Sequence, residues 1–532
     1  MQRKRGVKRT TFLLLLCFSF LIINPCFAED KTHYGGTLVW GICGKPTSIN
    51  PLFATQGISS ALGFLIFNRL VRFNEKGEAE PDLAESWKVS DDGLVYTFYL
   101  RKGVRFHDGK ECTAEDVKFT FEKFKDPEVN SPFRLFYVIV KEFKAIDPYT
   151  FQVILTNPSP SFIYRLNKEI IPAHILANAD IKSSSFNFHP IGTGPFKLKE
   201  WGRDDQITLE YNPDYYEGRP YLDKIIIKHY PDSRQLWRAL MRQEVDLSLF
   251  LEKEDYEVVK KDSFFRAYAI AIDYYYAVVY NLKDPVLSDK TVREAIALGV
   301  DRKNLIEKVG SGYGLECNGP FYPVSIGFNP EVKGIEYEPD KAIELLHKAG
   351  WKDMNQDGVL EKDGKDLEIR MLVDKRSDLY RKITMLMRQD LQQIGIKLTV
   401  QLYDDDTKLT EEFLQKTKVQ AQLKMILAGI DPDQVIEEWT SQRSEGIDNL
   451  WDYENQEVEK YFALGKITQN KQERIKIYRR LHQIIYNDQP ACFLYYPFFF
   501  NVVSARVKNT DKFFTLSMPV HTMQGWYIEE ES

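Results

Sequence analysis

The sequence predicts an α/β protein, and three observations carry that reading. First, a long amphipathic helix closed by glycine runs straight into a strand. Asp378 to Gln393 sets Leu379, Ile383, Leu386, Met387 and Leu391 on one face, Gly395 follows, and Ile396, Leu398, Val400 and Leu402 then alternate with polar residues. Second, Asp340 to Ala349 repeats the device, with Ala342, Leu345, Leu346 and Ala349 in one stripe and Gly350 as the stop. Helix, glycine, strand is the texture of sheets covered by helices. Third, the composition is that of a folded chain: 43% of the 532 residues are apolar and 13% aromatic, too many rings for disorder and enough for several cores.

The remaining elements follow in order. Thr37 to Trp40 reads as a strand broken by Gly41, Gly44 and Pro46; Leu94 to Leu100 is a second, ended by Lys102-Gly103. Thr113-Ala114-Glu115-Asp116 has the form of a capping box, and Val117, Phe121 and Phe124 behind it fall on one helical face. Thr150 to Leu155 is a strand. Lys471 to Tyr486 is a helix preceding the aromatic strand Phe493-Leu494-Tyr495-Tyr496. No repeat of about 20–50 residues points to a solenoid or propeller.

Residues 1–28 read as an address. A basic head (Arg3, Lys4, Arg5, Lys8, Arg9), an apolar run from Phe12 to Ile23 and small residues at Cys26 and Ala28 make a signal peptide cut after Ala28. The run is too short to cross a bilayer. The remainder carries 66 bases against 77 acids, a net −11, which disfavours nucleic acid and anionic membrane as partners. Cys43, Cys112, Cys317 and Cys492 lie downstream of the cut with no CxxC pair, so one or two disulfides or buried free thiols are both open.

Enzyme motifs are missing: there is no Walker loop, no GxGxxG opening a helix, no GxSxG and no HExxH, and the eight histidines are scattered. The sequence requires no cofactor. Asp353-Met354-Asn355-Gln356-Asp357-Gly358 begins like a calcium loop, but the twelfth position is Gly364 rather than a bidentate Glu, so a polar turn is favoured. The clusters Tyr274-Tyr275-Tyr276 and Phe498-Phe499-Phe500 read either as a ligand-stacking wall or as sheet core.

Several segments then fall into one ordered pattern: Ser48-Ile49-Asn50-Pro51, Glu80-Pro81-Asp82-Leu83-Ala84, Phe106-His107-Asp108-Gly109-Lys110, Gly192-Thr193-Gly194-Pro195-Phe196, Asn212-Pro213-Asp214-Tyr215-Tyr216, Val292-Arg293-Glu294-Ala295 and Ala349-Gly350-Trp351. From about residue 36 to the C-terminus the chain resembles the family 5 extracellular solute-binding proteins, the oligopeptide-, dipeptide- and nickel-binding receptors of bacterial ABC importers. The resemblance implies a two-lobed periplasmic-binding-protein-like fold (type II, cluster C) with an extra inserted α/β domain. Lobe I is expected at 29–65, 190–280 and 499–532, the insertion at 66–189 and lobe II at 281–498, with the hinge near Tyr280 and Phe498.

It also implies a monomeric, non-enzymatic periplasmic receptor that closes around a short peptide and delivers it to permease subunits. Nickel chelates, oligosaccharides and an exported hydrolase are the alternatives; the stretch Leu166 to Pro172 lacks the arginine of nickel-binding relatives. Asp431, or Asp433, in the segment Gly429 to Asp433 before Trp439 is the implied anchor for a peptide amine, with a helix cap as the competing role for Asp431. Arg376 or Arg381 is the implied carboxylate partner. The loop from Gly41, with Cys43 and Gly44, is the implied first-lobe contact, and Tyr275 and Tyr276 are the candidate aromatic wall.

Overall fold

A computed structural model describes residues 33–46, 48–55, 57–202, 206–403, 418–441, 453–514 and 520–529. The signal-peptide segment 1–28 lies outside the described residues.

The expected helices form where their stripes place them. The helix Asp378–Gln393 buries Ile383, Met387 and Leu391, and Pro339–Lys348 buries Ala342 and Leu346; Gly395 and Gly350 follow them at φ +78° and +92°, the left-handed stop that glycine adopts without strain. In Ala114–Lys125 the Asp116 carboxylate reaches back to the Thr113 N–H at 2.9 Å, and Val117, Phe121 and Phe124 are wholly buried.

Among the described residues, ten strands form one path across the molecule. Numbering from the first, β1 is Thr37–Cys43, β2 Phe196–Trp201, β3 Ile207–Tyr211, β4 Lys224–Tyr230, β5 Leu247–Leu251, β6 Phe265–Ala271, β7 Tyr274–Tyr280, β8 Glu368–Asp374, β9 Lys397–Tyr403, β10 Ala421–Leu427 and β11 Ala491–Ser504. Their order is β9-β8-β10-β7-β11-β5-β1-β4-β3-β2, with β6 also paired to β11. β1 lies parallel to both β4 and β5.

The 14-residue β11 joins the two halves: Ala491 to Tyr495 pairs with β7, and Phe498 to Ser504 pairs with β6. At about 3.3 Å per residue it is long enough to serve both. The other crossing is Ile272-Asp273, between β6 and β7. It lies earlier than the expected crossing near Tyr280, because all seven residues of β7 pair with β10 in the second half.

Cores follow the two-residue period of the strands. Tyr276, Val278, Tyr280, Cys492 and Leu494 face one helical layer of the second half; Tyr275, Ala277, Val279, Ala491 and Phe493 face the other. A strand covered on both sides has no wet face. In the first half one continuous core takes residues from β1 and β4 and also from the four-stranded sheet Ala84–Val89, Val95–Leu100, Thr150–Leu155 and Val140–Asp147. The segment expected as an insertion thus shares its core with the strands flanking it.

His482 reports on acid stability. It is fully buried against Phe321 and Phe328, and its Nδ1 accepts the Asn329 N–H at 2.9 Å. Burial lowers its pKa to about 4, against a weaker upward pull from the Asn318 backbone. Between that value and about 6.5 the unfolded chain binds the extra proton, so stability falls as pH drops through this window, by about 3 kcal/mol when complete. Urea unfolding between pH 7 and pH 4 should therefore flatten in His482→Gln; an unchanged pH slope would rule this out.

Candidate functional site

A cavity of about 770 Å³ opens at the carboxyl ends of β1 and β5. Its position follows from the topology. The helix Gly57–Ile66 (α1) follows β1, and the helix Ser233–Met241 (α2) carries the chain from β4 to β5, so that β1 lies between two parallel neighbours. Helices leaving adjacent parallel strands part at the strand ends, and the crevice between them is the ordinary ligand position of an open α/β sheet.

Each wall comes from a named element. Trp40 to Lys45 end β1; Gly57, Ile58, Ala61 and Phe64 come from α1; Ser233 and Leu236 from α2; Ser248 to Glu252 from β5; Asp255 from the helix Lys253–Val259, and Phe513 from the C-terminal segment. Gly41 is small because it must be: a Cβ there would stand 2.3 Å from Leu236 Cδ1 and 2.9 Å from Val245 Cγ1. β5 carries a register shift between Ser248 and Leu251, and Phe250 within it has φ +61°, a left-handed conformation rare for a bulky side chain. The Phe250 N–H donates to Asn501 Oδ1 at 3.2 Å, and the ring stands edge-on to Phe499 at 4.8 Å, 57% exposed. An apolar crevice of this size with a few polar groups has the character of a small-molecule site.

Of the residues expected at the site, Cys43 and Gly44 line this cavity. Cys43 is a free thiol at the cavity mouth, its pKa raised by partial desolvation there and by Asp232; Cys112, Cys317 and Cys492 are buried and are not in disulfides. The other candidates lie elsewhere. Tyr275 and Tyr276 are core side chains on opposite faces of β7, packed on Phe493 and Tyr495. They form no ligand wall, because alternation on a doubly covered strand sends both rings inward. Trp439 is buried against Phe493. Gly429 turns at φ +59° beside Val435.

Arg376 pairs with Asp374 at 2.8 Å, while Arg381 pairs with Asp378 and donates to the Lys375 carbonyl. Both side chains are more than half exposed, and these pairs lie at the helix start itself.

Asp431 has a partner the sequence did not reveal. Arg474, on the helix Lys471–Asp488, donates to both its oxygens at 2.6 Å and approaches Asp433 Oδ2 at 2.9 Å; Tyr478 donates to Asp433. Asp431 also accepts the Asp433 N–H at 3.0 Å, capping the short turn Pro432–Gln434. All three charged groups are buried. Burial pushes the Asp431 carboxyl up against the pull of Arg474, while for Arg474 burial is outweighed by the two carboxylates, so the guanidinium stays charged. An ammonium reaching Asp431 would have to displace a bidentate buried guanidinium.

The calcium-like loop is closed on itself. Asp353 accepts the N–H groups of Gln356 and Gly358, Asn355 that of Asp357, and Asp357 that of Val359. Those oxygens hold the turn.

Residues 78–446 match the family model for bacterial extracellular solute-binding proteins, family 5, middle segment. The chain belongs to this family. It is 33% identical over 480 residues to the oligopeptide-binding protein AppA of Bacillus subtilis, covering 88% of each chain, and 28% identical over 537 residues to heme-binding protein A of Haemophilus influenzae, covering 94% of each. Among solved structures, AppA of Bacillus subtilis with a nonapeptide superposes at TM-score 0.72 with 29% identity, covering 94% of this chain and all of that one. NikZ of Campylobacter jejuni with Ni(L-His) superposes at 0.72 with 29% identity, covering 89% and 95%. The mixed α/β architecture, with its large central sheet crossed twice by the chain, agrees with a two-lobed periplasmic-binding-protein-like fold. No helix among the described residues is long and apolar enough to cross a membrane.

Proposed function

We propose that this family 5 protein is an exported receptor that captures short peptides between two lobes and passes them unchanged to an ABC importer. The observation that carries the reading is the cavity at the strand ends of the first half, beside the Phe250–Phe499 contact where β11 crosses between halves. Ligand seated there meets one lobe first, and rotation about Ile272-Asp273 and the middle of β11 brings the second lobe over it. Ligand favours the closed form only by as much as it binds that form better. The nonapeptide held by AppA and the peptide names of other relatives support this ligand class. On the same reading the chain is cut after Ala28, works in the periplasm as a monomer, and divides into a discontinuous first lobe, its insertion and a continuous second lobe.

Mass spectrometry of what the purified secreted protein releases on denaturation tests the proposal. Short peptides are expected; a nickel chelate, heme or sugar in their place would overturn it. The same peptides added back at about 100 times Kd should raise unfolding stability by about 2.7 kcal/mol.

A further inference from the structure

We infer that the turn Arg134–Tyr137 and the basic groove beside it form a docking surface for an anionic lipid bilayer. This goes beyond peptide capture and takes from the proposed function only that the protein is exported. In the stretch Arg134-Leu135-Phe136-Tyr137-Val138, Tyr137 is wholly buried while Leu135, Phe136 and Val138 are 42%, 45% and 55% exposed. No other five consecutive described residues expose three large apolar side chains. The exposure is built in. The Tyr137 hydroxyl donates to the Arg165 carbonyl at 2.8 Å, and the Arg165 guanidinium donates to the Phe136 carbonyl at 2.8 Å. Pinned from both sides, the turn holds its apolar side chains outward.

Charge complementarity selects the occupant. A groove of about 890 Å³ runs between the helix Ala114–Lys125 and the strand Val140–Asp147, and Val138 and the exposed Ile146 stand on its wall. Its lining holds Lys118, Lys123, Lys125, Arg134, Lys141 and Lys144 against Glu122, Asp126 and Glu142, a net +3. Lys118, Lys123 and Lys144 have acidic neighbours at 3.5, 2.9 and 3.0 Å, and Lys125 donates to the Val140 carbonyl. Arg134 and Lys141 have no ion pair or side-chain hydrogen bond among the described residues. The net −11 beyond Ala28 disfavours an anionic membrane for the chain as a whole. Salt screens charges beyond about 8 Å, however, so the face that touches decides. Lysines also keep an edge strand from pairing with another chain, and Val140–Asp147 is the edge of its sheet. That role accounts for Lys141 and Lys144 and leaves Leu135, Phe136 and Val138 unexplained. Bases around projecting apolar side chains suit a bilayer interface, where phosphates take the cations and the apolar groups enter the acyl boundary. An acidic protein would serve the bases, but would cover the projecting turn only through a pocket shaped to it.

The test sediments the purified secreted protein with protein-free vesicles of phosphatidylglycerol and phosphatidylethanolamine, and with phosphatidylcholine vesicles, at about 0.1 M salt. Wild type is expected to bind the anionic vesicles and to leave them at about 1 M salt. Arg134→Gln with Lys141→Gln should weaken binding about 25-fold, at about fivefold for each base. Leu135→Ser with Phe136→Ser should weaken it about tenfold. None of the four side chains is buried, so both variants should keep the wild-type urea midpoint. Lys141→Glu, a single change on an exposed side chain, repeats the electrostatic arm should a double variant fold poorly. Failure of wild type to bind the anionic vesicles overturns the inference, and so does binding that neither pair of substitutions weakens. Loss in the charge variant alone also overturns it, because that is adsorption without the apolar turn. Binding only to vesicles that carry membrane protein overturns it in favour of a protein partner.

Discussion

Arg474→Met is expected to lower unfolding stability by about 3–5 kcal/mol, the penalty for breaking a buried ion pair from one side. Arg474 is the cation that faces two buried carboxylates, at 2.6 Å from Asp431 and 2.9 Å from Asp433, and its Nε also donates to the Gly465 carbonyl at 3.1 Å. Methionine keeps the volume and leaves both acids with the Tyr478 hydroxyl and main-chain donors alone. The sign of the pH dependence follows. Burial already raises the Asp431 carboxyl against the pull of Arg474; without the guanidinium it rises further above the unfolded value, so the folded form binds more protons and the deficit shrinks as pH falls. Denaturant titrations at pH 7.5 and pH 5 should show the larger loss at the higher pH. Arg474→Lys should recover only part of the loss, because an ammonium cannot span two oxygens as a fork. A deficit below about 1 kcal/mol would mean that this cluster is solvated and the pair nearly neutral in worth.

Gly194→Ala is expected to cost about 3 kcal/mol, at the upper end for overpacking. A Cβ there would stand 2.5 Å from the Ile66 carbonyl carbon and 2.6 Å from Leu65 O, and at Gly192 one would stand 2.0 Å from Ile66 O. These obstacles are backbone at the end of α1, so no rotamer change clears them. The two glycines let the chain entering β2 lie on that helix end, where the Gly194 N–H donates to Ile66 O at 2.8 Å and Thr193 Oγ1 donates to Asn68 Oδ1 at 3.1 Å. Because α1 also supplies Ile58, Ala61 and Phe64 to the cavity, peptide retention should weaken along with stability. Gly57→Ala, where a Cβ meets open space, is the control and should change stability by less than about 0.5 kcal/mol. Equal stability of the two variants would refute the packing account.

The candidate site was less legible than the fold. Asp431, Gly429 and Trp439 stand in a segment that sequence alone offers equally as an anchor or as a cap. Proximity decides between these roles, and Arg474 lies 43 residues beyond Asp431 in the chain. Phe250 carries no sequence signal at all: its left-handed backbone is fixed by the β5 bulge and by Asn501 from a distant strand.

Local pattern by itself determined the helices Asp378–Gln393 and Pro339–Lys348, their glycine stops, and the strands Thr150–Leu155 and Lys397–Tyr403, because periodicity and end signals act within a few residues. The order of motifs determined the family. Tertiary structure alone decided that Tyr275 and Tyr276 are core, since a strand's burial on one face or two depends on what packs over it. It also decided which acids are neutralised, since charge pairing is set by distance in space.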